Sequence, residues 1–357
     1  MRIEHSRTGP GHHNGSGDDA HYTMRNRGFT PVCILFIVIA IILAAGSSAI
    51  RSSASLQAAQ NPQGAQPQLQ QSQQPIRVEV SLVNLFATVR DKHSKQIIST
   101  LEQSDFNVSE DGVAQKISFF SKDSKLPVTL GLLVDTSGSE QNTLGAEQEA
   151  AARFLSRIMR KGDLTAVFSF DTDTDLLADF TDDIGVLDRA VRRTRINAPS
   201  GQGPLSQQGP GTVFYDAVYL ACHDKLAGEA GRKALIILTD AQDEGSQLRV
   251  QDAIEVAQRT DTVVHILLIG DPYHFNVNEG VARKITDETG GRTIVVRNEK
   301  NLEQAFDQIS EELRSQYTIG YTSTNPARDG SYRKIKVETN RKELDVLTRR
   351  GYYAPKG

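Results

Sequence analysis

The feature that most constrains the fold is a regular alternation of strand-like and helix-like segments between residues 127 and 314. Residues 128–134 form a continuous apolar run, which is typical of a strand in a sheet covered on both faces. Residues 151–159 then place apolar side chains at helical spacing, and Lys161-Gly162 ends that segment. Later strands are predicted over 166–170, 234–238, 263–269 and 293–296, and helices over 184–194, 213–226, 250–259, 281–289 and 302–314. This order predicts an α/β fold with a doubly wound, mostly parallel, Rossmann-like sheet.

The segment before this region follows a different pattern. Residues 76–120 alternate apolar and other side chains with a period of two, as half-buried strands do. Glu110-Asp111-Gly112 is a strong turn signal, and it predicts a hairpin between residues 106–109 and 117–119. A block of this length is too short to form a stable sandwich by itself.

The chain becomes rich in strand-like segments again after residue 314. Strands are predicted over 317–321, 335–338 and 344–347. Because neither flanking segment is stable alone, we expect the two to pair in one small β-sandwich into which the α/β domain is inserted. The predicted division is 76–123 for the first part of the sandwich, 124–314 for the α/β domain and 315–357 for the second part.

The first 75 residues have no pattern of a folded domain. Residues 32–45 are almost wholly apolar, follow Arg25 and Arg27, and precede small residues, which is typical of a secretory signal sequence. An apolar run that extends to residue 50 would instead be a membrane anchor. We predict a leader over 1–31 with Met24 as an alternative start, a signal sequence or anchor over 32–50, and a flexible Gln- and Pro-rich linker over 51–75. The protein is therefore expected to be periplasmic, secreted or anchored in the cell envelope.

Charge and cysteine content exclude two classes of protein. The formal net charge is −4, and the Lys and Arg residues are spread along the sequence, so no nucleic-acid-binding surface is predicted. Cys33 and Cys222 are the two cysteines, which excludes a disulfide framework. Cys222 is predicted to be a small buried residue within a helix.

Polar residues with hard oxygen ligands follow two of the predicted strands. In an open parallel sheet, ligands bind beyond the carboxyl ends of the strands, where the strand order reverses. Hydroxyl and carboxylate oxygens without His or Cys suit Mg²⁺, Mn²⁺ or Ca²⁺ rather than zinc. Uncharged hydroxyl ligands also leave the cation able to accept a carboxylate from a partner. The candidate ligands are Asp135, Ser137 and Ser139 after the first strand, Thr212 at the end of a Gly-rich loop, and Asp240 and Asp243 after the strand at 234–238.

This Asp-x-Ser-x-Ser, Thr, Asp set resembles the metal-ion-dependent adhesion site of von Willebrand factor type A domains. The resemblance implies that Ser137, Ser139 and Thr212 bind the cation directly, and that Asp135 and Asp240 bind it directly or through water. Further segments make the resemblance more specific, to an exported acidobacterial family related to these domains. These segments are 105–112, Phe214-Tyr215-Asp216-Ala217, Gly231-Arg232-Lys233-Ala234 and the closing Gln316-Tyr317, Gly320-Tyr321 and Arg333-Lys334-Ile335.

The resemblance also implies a function. It implies a non-enzymatic protein-binding or adhesion module that uses a divalent cation, Mg²⁺ first and Mn²⁺ or Ca²⁺ as alternatives. Its partner would be a protein that offers an Asp or Glu side chain. No nucleic acid is expected as a partner, and a membrane is expected only through residues 32–50.

One departure from the family pattern concerns the residue after Asp240. Many relatives have Gly there, whereas this chain has Ala241. A positive φ at that position would strain an alanine.

Other interpretations remain open at the level of sequence. Ser139 is also a candidate helix cap, and a structural envelope protein with a vestigial metal site would keep the same residues. A phosphatase similar to haloacid dehalogenases would use Asp135 as a nucleophile, but the second acid of that class is replaced by Ser137. The Asp171, Asp173 and Asp175 run lacks the later Gly and Glu of a calcium-binding EF-hand loop, so a solvated turn is predicted.

Overall fold

The computed structural model describes residues 82–122, 126–196, 211–270 and 276–357. The predicted leader, signal sequence or anchor, and linker lie outside the described residues, as does most of the Gly-rich loop before Thr212. No helix in the described ranges has the length and apolar character needed to cross a bilayer.

The elements alternate as the sequence predicts. In the described residues the strands are β1 (Leu82–Asp91), β2 (Phe106–Glu110), β3 (Val113–Gln115), β4 (Ile117–Ser121), β5 (Val128–Asp135), β6 (Leu164–Phe170), β7 (Thr174–Thr181), β8 (Arg232–Thr239), β9 (Thr262–Leu268), β10 (Thr293–Val295), β11 (Tyr317–Thr322), β12 (Tyr332–Thr339), β13 (Leu344–Leu347) and β14 (Gly351–Tyr353). The α-helices are α1 (Leu144–Ile158), α2 (Ile184–Val191), α3 (Phe214–Leu220), α4 (Val250–Arg259), α5 (Glu279–Thr289) and α6 (Glu299–Arg314).

The central sheet confirms the predicted fold class. Its described strands lie in the order β10-β9-β8-β5-β6-β7. Neighbouring strands are parallel except that β7 runs antiparallel to β6 at one edge. All eight residues of β5 are buried, as expected for a strand covered on both faces. The edge strand β7 was not predicted, because only one of its residues is buried and no apolar pattern marks it.

Helices cover both faces of this sheet. The apolar sides of α1, α2 and α6 form one buried core with the sheet, and those of α3, α4 and α5 form the other. In the first core, Phe154 of α1 stacks on Phe306 of α6 with ring centroids 4.6 Å apart. Cys222 is fully buried in the second core, in agreement with its prediction as a small core residue. Burial of each Leu- or Phe-sized side chain contributes about 1.5–3 kcal/mol to the free energy of unfolding. The two cores therefore hold the sheet firmly in place.

The flanking segments form two four-stranded sheets that share one core. The described strand orders are β13-β1-β11-β4 and β14-β12-β2-β3, so each sheet mixes strands from before and after the α/β domain. Alternate residues of β1, from Val83 to Val89, pack in that core against residues of β2, β11 and β12. The prediction that the two flanking segments pair in a β-sandwich is thus confirmed.

The predicted hairpin between 106–109 and 117–119 is wrong. Asp111 and Gly112 both have positive φ, 48° and 83°, which is the geometry of a two-residue hairpin turn. Such a turn pairs Glu110 directly with Val113, so β3 is the partner of β2. The following strand β4 joins the other sheet beside β11.

The sandwich lies at the amino-terminal edge of the parallel strands. Along the chain, the sandwich strand β4 precedes β5, and α6 is followed by the sandwich strand β11. Arg349 forms an ion pair with Asp261, just before β9, and Arg350 Nη2 lies 3.0 Å from Asp287 Oδ2 near the end of α5. The carboxyl ends of the strands therefore face away from the sandwich.

Candidate metal centre

Asp135 is the last residue of β5, at the point where the strand order reverses between β6 and β8. Its side chain is 0% exposed. One carboxylate oxygen accepts a hydrogen bond from the backbone N–H of Ser137 at 2.9 Å, and the other accepts one from Thr239 Oγ1 at 2.6 Å. Burial raises the pKa of Asp135 to about 7.

The loop after β5 brings both serines of the motif to the same place. The chain makes a short 3-10 turn over Gly138–Glu140, and Ser137 Oγ and Ser139 Oγ lie 3.0 Å apart. The Ser139 hydroxyl also interacts with the carboxylate of Asp240, which follows β8 and is buried. Burial raises the pKa of Asp240 above its usual value. The structure therefore places Asp135, Ser137, Ser139 and Asp240 together at the carboxyl edge of the sheet.

Thr212 lies beside the loop that follows Asp240. It is half-buried, and its carbonyl oxygen accepts hydrogen bonds from the backbone N–H groups of Glu244 at 3.0 Å and Gly245 at 3.1 Å. The next residue, Val213, donates its backbone N–H to the carbonyl of Asp171 at 2.7 Å. Thr212 is thus held between the loops that follow β6 and β8.

The predicted solvated turn at Asp171, Asp173 and Asp175 is wrong for the first residue. Asp173 and Asp175 are exposed, but Asp171 is buried and lies 3.4 Å from Thr136 Oγ1. Because Asp171 directly follows β6, which pairs with β5, its side chain reaches the edge of the sheet where the candidate ligands lie.

Asp243 has a different role from the other candidates. Its carboxylate oxygen accepts the backbone N–H of Tyr215 at 3.2 Å, at the start of α3. Asp216 in turn accepts the backbone N–H groups of Gln247 and Leu248 at 3.0 and 2.9 Å. These two carboxylates tie α3 to the loop after β8, and so brace the loop that carries Asp240.

Glu140 belongs to the site, and the sequence analysis missed it. Carboxylate oxygens of Asp135, Glu140 and Asp240 all lie within 4.8 Å of one another, and all three residues are buried. Burial raises the pKa of Glu140 well above its usual value, and the nearby Glu147 and Asp135 carboxylates add to this rise. The signal in the sequence was an acidic residue placed directly after Ser139, outside the recognised motif.

The donor set fits a hard divalent cation. It consists of carboxylate and hydroxyl oxygens, which Mg²⁺, Mn²⁺ and Ca²⁺ prefer. Within the described residues, no Lys or Arg forms an ion pair with Asp135, Glu140 or Asp240, and Glu140 Oε1 accepts no hydrogen bond. Buried carboxylates of this kind are costly unless a positive charge compensates them. The acidic triad could therefore hold a metal ion.

The backbone at Ala241 has the conformation that would suit glycine. Its φ is 60° and its side chain is fully buried. Its backbone N–H bonds to Thr239 Oγ1 at 3.0 Å, the same hydroxyl that donates to Asp135. The strain expected for an alanine at positive φ is therefore present beside Asp240.

Residues 130–244 match the model of the von Willebrand factor type A domain family. Among solved structures, a von Willebrand factor type A protein from Catenulispora acidiphila is 12% identical, covers 78% of this chain and 75% of its own, and has a TM-score of 0.44. The conserved hypothetical protein BatB from Bacteroides thetaiotaomicron is 18% identical, over 53% of this chain and all of its own, with a TM-score of 0.43. The vWF domain of the type V pili tip protein Mfa5 from Porphyromonas gingivalis is 15% identical, over 52% and 94%, with a TM-score of 0.40. No curated protein matches this chain.

Proposed function

We propose that this chain, which contains a von Willebrand factor type A domain, is a metal-dependent protein-binding module of the cell envelope. The observation that carries the proposal is the convergence of buried Asp135, Glu140 and Asp240 oxygens within 4.8 Å, while no Lys or Arg of the described residues forms an ion pair with them. A protein gains little from such a cluster unless it binds a cation.

In this proposal Ser137, Ser139 and Thr212 bind the cation directly, and Asp135 and Asp240 bind it directly or through water. Mg²⁺ is the cation we favour, with Mn²⁺ or Ca²⁺ as alternatives, because all five side chains offer hard oxygen ligands. The bound cation would supply positive charge and an open coordination position. The serine and threonine hydroxyls add no negative charge, so the cation keeps its attraction for a carboxylate from a partner protein. An Asp or Glu of that partner would complete the coordination.

The position of the site in the fold supports this role. The site lies at the carboxyl edge of the parallel strands, whereas the sandwich contacts the opposite edge near Asp261 and Asp287. We further propose that residues 32–50 export or anchor the chain and that the linker at 51–75 connects them to the folded part. The binding face would then point away from the point of attachment.

Burial of Asp135 argues against its use as a nucleophile. Its side chain is 0% exposed and each oxygen already accepts a hydrogen bond. Attack on a substrate requires an accessible oxygen, and the position of the second acid is occupied by Ser137. We therefore propose a binding function without catalysis.

The capture of carboxylates can be tested without knowing the partner. Random peptides displayed on phage would be selected on the immobilised full chain in Mg²⁺ and in EDTA. We expect Asp and Glu to be enriched in the Mg²⁺ pool, and this enrichment to disappear in EDTA and with a Ser137→Ala, Ser139→Ala variant. Equal Asp and Glu content in all three pools would contradict the proposed function.

A further inference from the structure

A second pair of buried carboxylates lies beside the candidate site. Glu140 is 0% exposed and Glu147, in the first turn of α1, is 1% exposed. Thr143 links the two, because its hydroxyl donates to Glu140 Oε2 at 2.7 Å and it lines the same cavity as Glu147. The Glu147 carboxylate raises the pKa of Glu140, and burial raises the pKa of Glu147 to about 8. Glu140 is also within 4.8 Å of the Asp135 and Asp240 oxygens, so it has a neighbour in each cluster.

The protein itself does little to compensate this pair. Both oxygens of Glu147 and one oxygen of Glu140 accept no hydrogen bond from any described residue. The other Glu140 oxygen accepts the Thr143 hydroxyl at 2.7 Å. Each unpaired buried carboxylate carries a large desolvation cost, so a compensating positive charge or proton is required.

The balance of charge indicates more than one cation. Asp135, Asp240, Glu140 and Glu147 carry four negative charges when ionised. One divalent cation leaves two of them uncompensated, and the net negative site would repel the partner carboxylate that it is proposed to bind. Two divalent cations balance the four charges.

The surroundings of Glu147 suit a partly hydrated cation. Glu147 lines a cavity of about 280 Å³ together with Asn142, Thr143 and Asn298 at the start of α6. Arg297 and Glu299 line the same cavity, and their opposite charges balance each other. Mg²⁺ is commonly held by one or two carboxylates while it keeps several waters. The cavity provides room for those waters and a path for entry, which a buried metal site requires.

We propose that Glu140 and Glu147 bind a second divalent cation, with Glu140 shared between this cation and the one at Asp135 and Asp240. The inference rests on the proposed function, since Glu140 is a bridge only when the first site is also loaded. The second cation compensates the negative charge of Glu140 and Glu147. The first cation therefore keeps its attraction for a carboxylate of the partner protein. The alternative source of compensation is a proton shared by Glu140 and Glu147.

A count of bound Mn²⁺ distinguishes these possibilities. Mn²⁺ would be added to the full chain in detergent micelles, and bound ions would be counted from the loss of the free-ion signal in electron paramagnetic resonance. We expect two ions per chain, one in a Glu147→Gln variant, and two in a Glu149→Gln control. Glu149 lies two residues further along α1 and is 63% exposed. Two ions about 3.5–4 Å apart, as in known two-metal sites, would also give a spin-coupled signal that the Glu147→Gln variant lacks.

The other outcomes separate the two proposals. One ion per parent chain would overturn the second site and leave the proposed function intact. Two ions in the Glu147→Gln variant would also overturn it, since Glu147 would then not be a ligand. No bound ion in the parent would overturn both proposals.

Discussion

Two buried glutamates of this chain have opposite surroundings. Glu110, in the sandwich, is 2% exposed and has partners on both carboxylate oxygens. One oxygen accepts the hydroxyls of Tyr321 at 2.8 Å and Tyr352 at 3.1 Å. The other accepts Ser323 Oγ at 2.6 Å and Arg333 Nη1 at 3.3 Å, and Arg333 is itself buried. The sandwich thus supplies the charge and hydrogen bonds that its buried acid needs.

Glu140, at the edge of the central sheet, has acids as its charged neighbours. The Thr143 hydroxyl bonds to one of its oxygens, while the carboxylates of Asp135, Glu147 and Asp240 all raise its pKa. The same chain therefore pairs a buried acid with arginine in the sandwich. At the edge where we propose that cations bind, its buried acids form no ion pair with any Lys or Arg of the described residues. The difference supports our proposal that an external cation supplies the missing charge.

The largest expected effect is a loss of stability when the buried ion pair of the sandwich is broken. Arg333→Met would leave Glu110 buried without its cation, and loss of one partner of a buried pair costs about 3–5 kcal/mol. The free energy of unfolding from urea titration should fall by that amount, equally in Mg²⁺ and in EDTA. Adding Glu110→Gln to Arg333→Met should restore part of the loss. A loss below about 1 kcal/mol, or one that depends on Mg²⁺, would remove the contrast between the two regions.

The next effect is the pH dependence of the metal-free protein. The folded-state pKa values of Asp135 and Glu147, about 7 and about 8, are raised above the ordinary 3.8 and 4.5. At a pH between the ordinary pKa and the raised pKa of each group, the folded state keeps a proton that the unfolded chain has released. Stability therefore falls as pH rises through this range.

Each of the two groups should remove about 1.4 kcal/mol of stability per pH unit, so we expect the metal-free chain to lose on the order of 3 kcal/mol between pH 5 and pH 6. Thermal unfolding in EDTA would measure the decline, and excess Mg²⁺ should abolish it because the cation replaces the protons. The matched control is Glu110→Gln, which lies in the sandwich and should leave the decline of stability with pH unchanged. Parallel profiles with and without Mg²⁺ would contradict the account.

The smallest effect concerns the strained backbone at Ala241. Ala241→Gly relieves a left-handed conformation that costs about 1–2 kcal/mol, but it removes a buried methyl group worth about 0.8 kcal/mol. We expect a net gain of about 0.5 kcal/mol in the free energy of unfolding. Ala282→Gly, in the middle of α5 and also fully buried, should instead lose about 1 kcal/mol. The same sign for both variants would show that Ala241 is not strained.

The parallel sheet could be predicted because its strands are continuous apolar runs between amphipathic helices. The strand β7 could not, since it is an edge strand of mixed and mostly half-buried or exposed residues that depends on pairing with β6. The predicted hairpin had the wrong partner strand because the turn consists of Asp111 and Gly112 alone, so the strand that pairs with β2 begins already at Val113.

The candidate site was predicted in part. Asp135, Ser137, Ser139 and Asp240 could be placed together because the carboxyl ends of neighbouring parallel strands share one edge. The burial of Glu140 depends on tertiary packing, which a motif does not describe. For Glu147 a signal did exist, since it lies three residues after Leu144 and four before Ala151, on the buried face of α1. An acid at such a position was a reason to expect a compensating charge.

The most direct test of the account is a calorimetric titration of the full chain with Mg²⁺ and Mn²⁺. The Ser137→Ala, Ser139→Ala variant would be titrated beside it, with Ser104→Ala, an exposed serine of the sandwich, as the control. The account predicts binding by the parent and the control, and binding weaker by a factor on the order of ten to a hundred or more in the double variant. Equal affinity in all three proteins, or no binding by the folded parent, would contradict the central claim that this edge of the sheet is a metal centre.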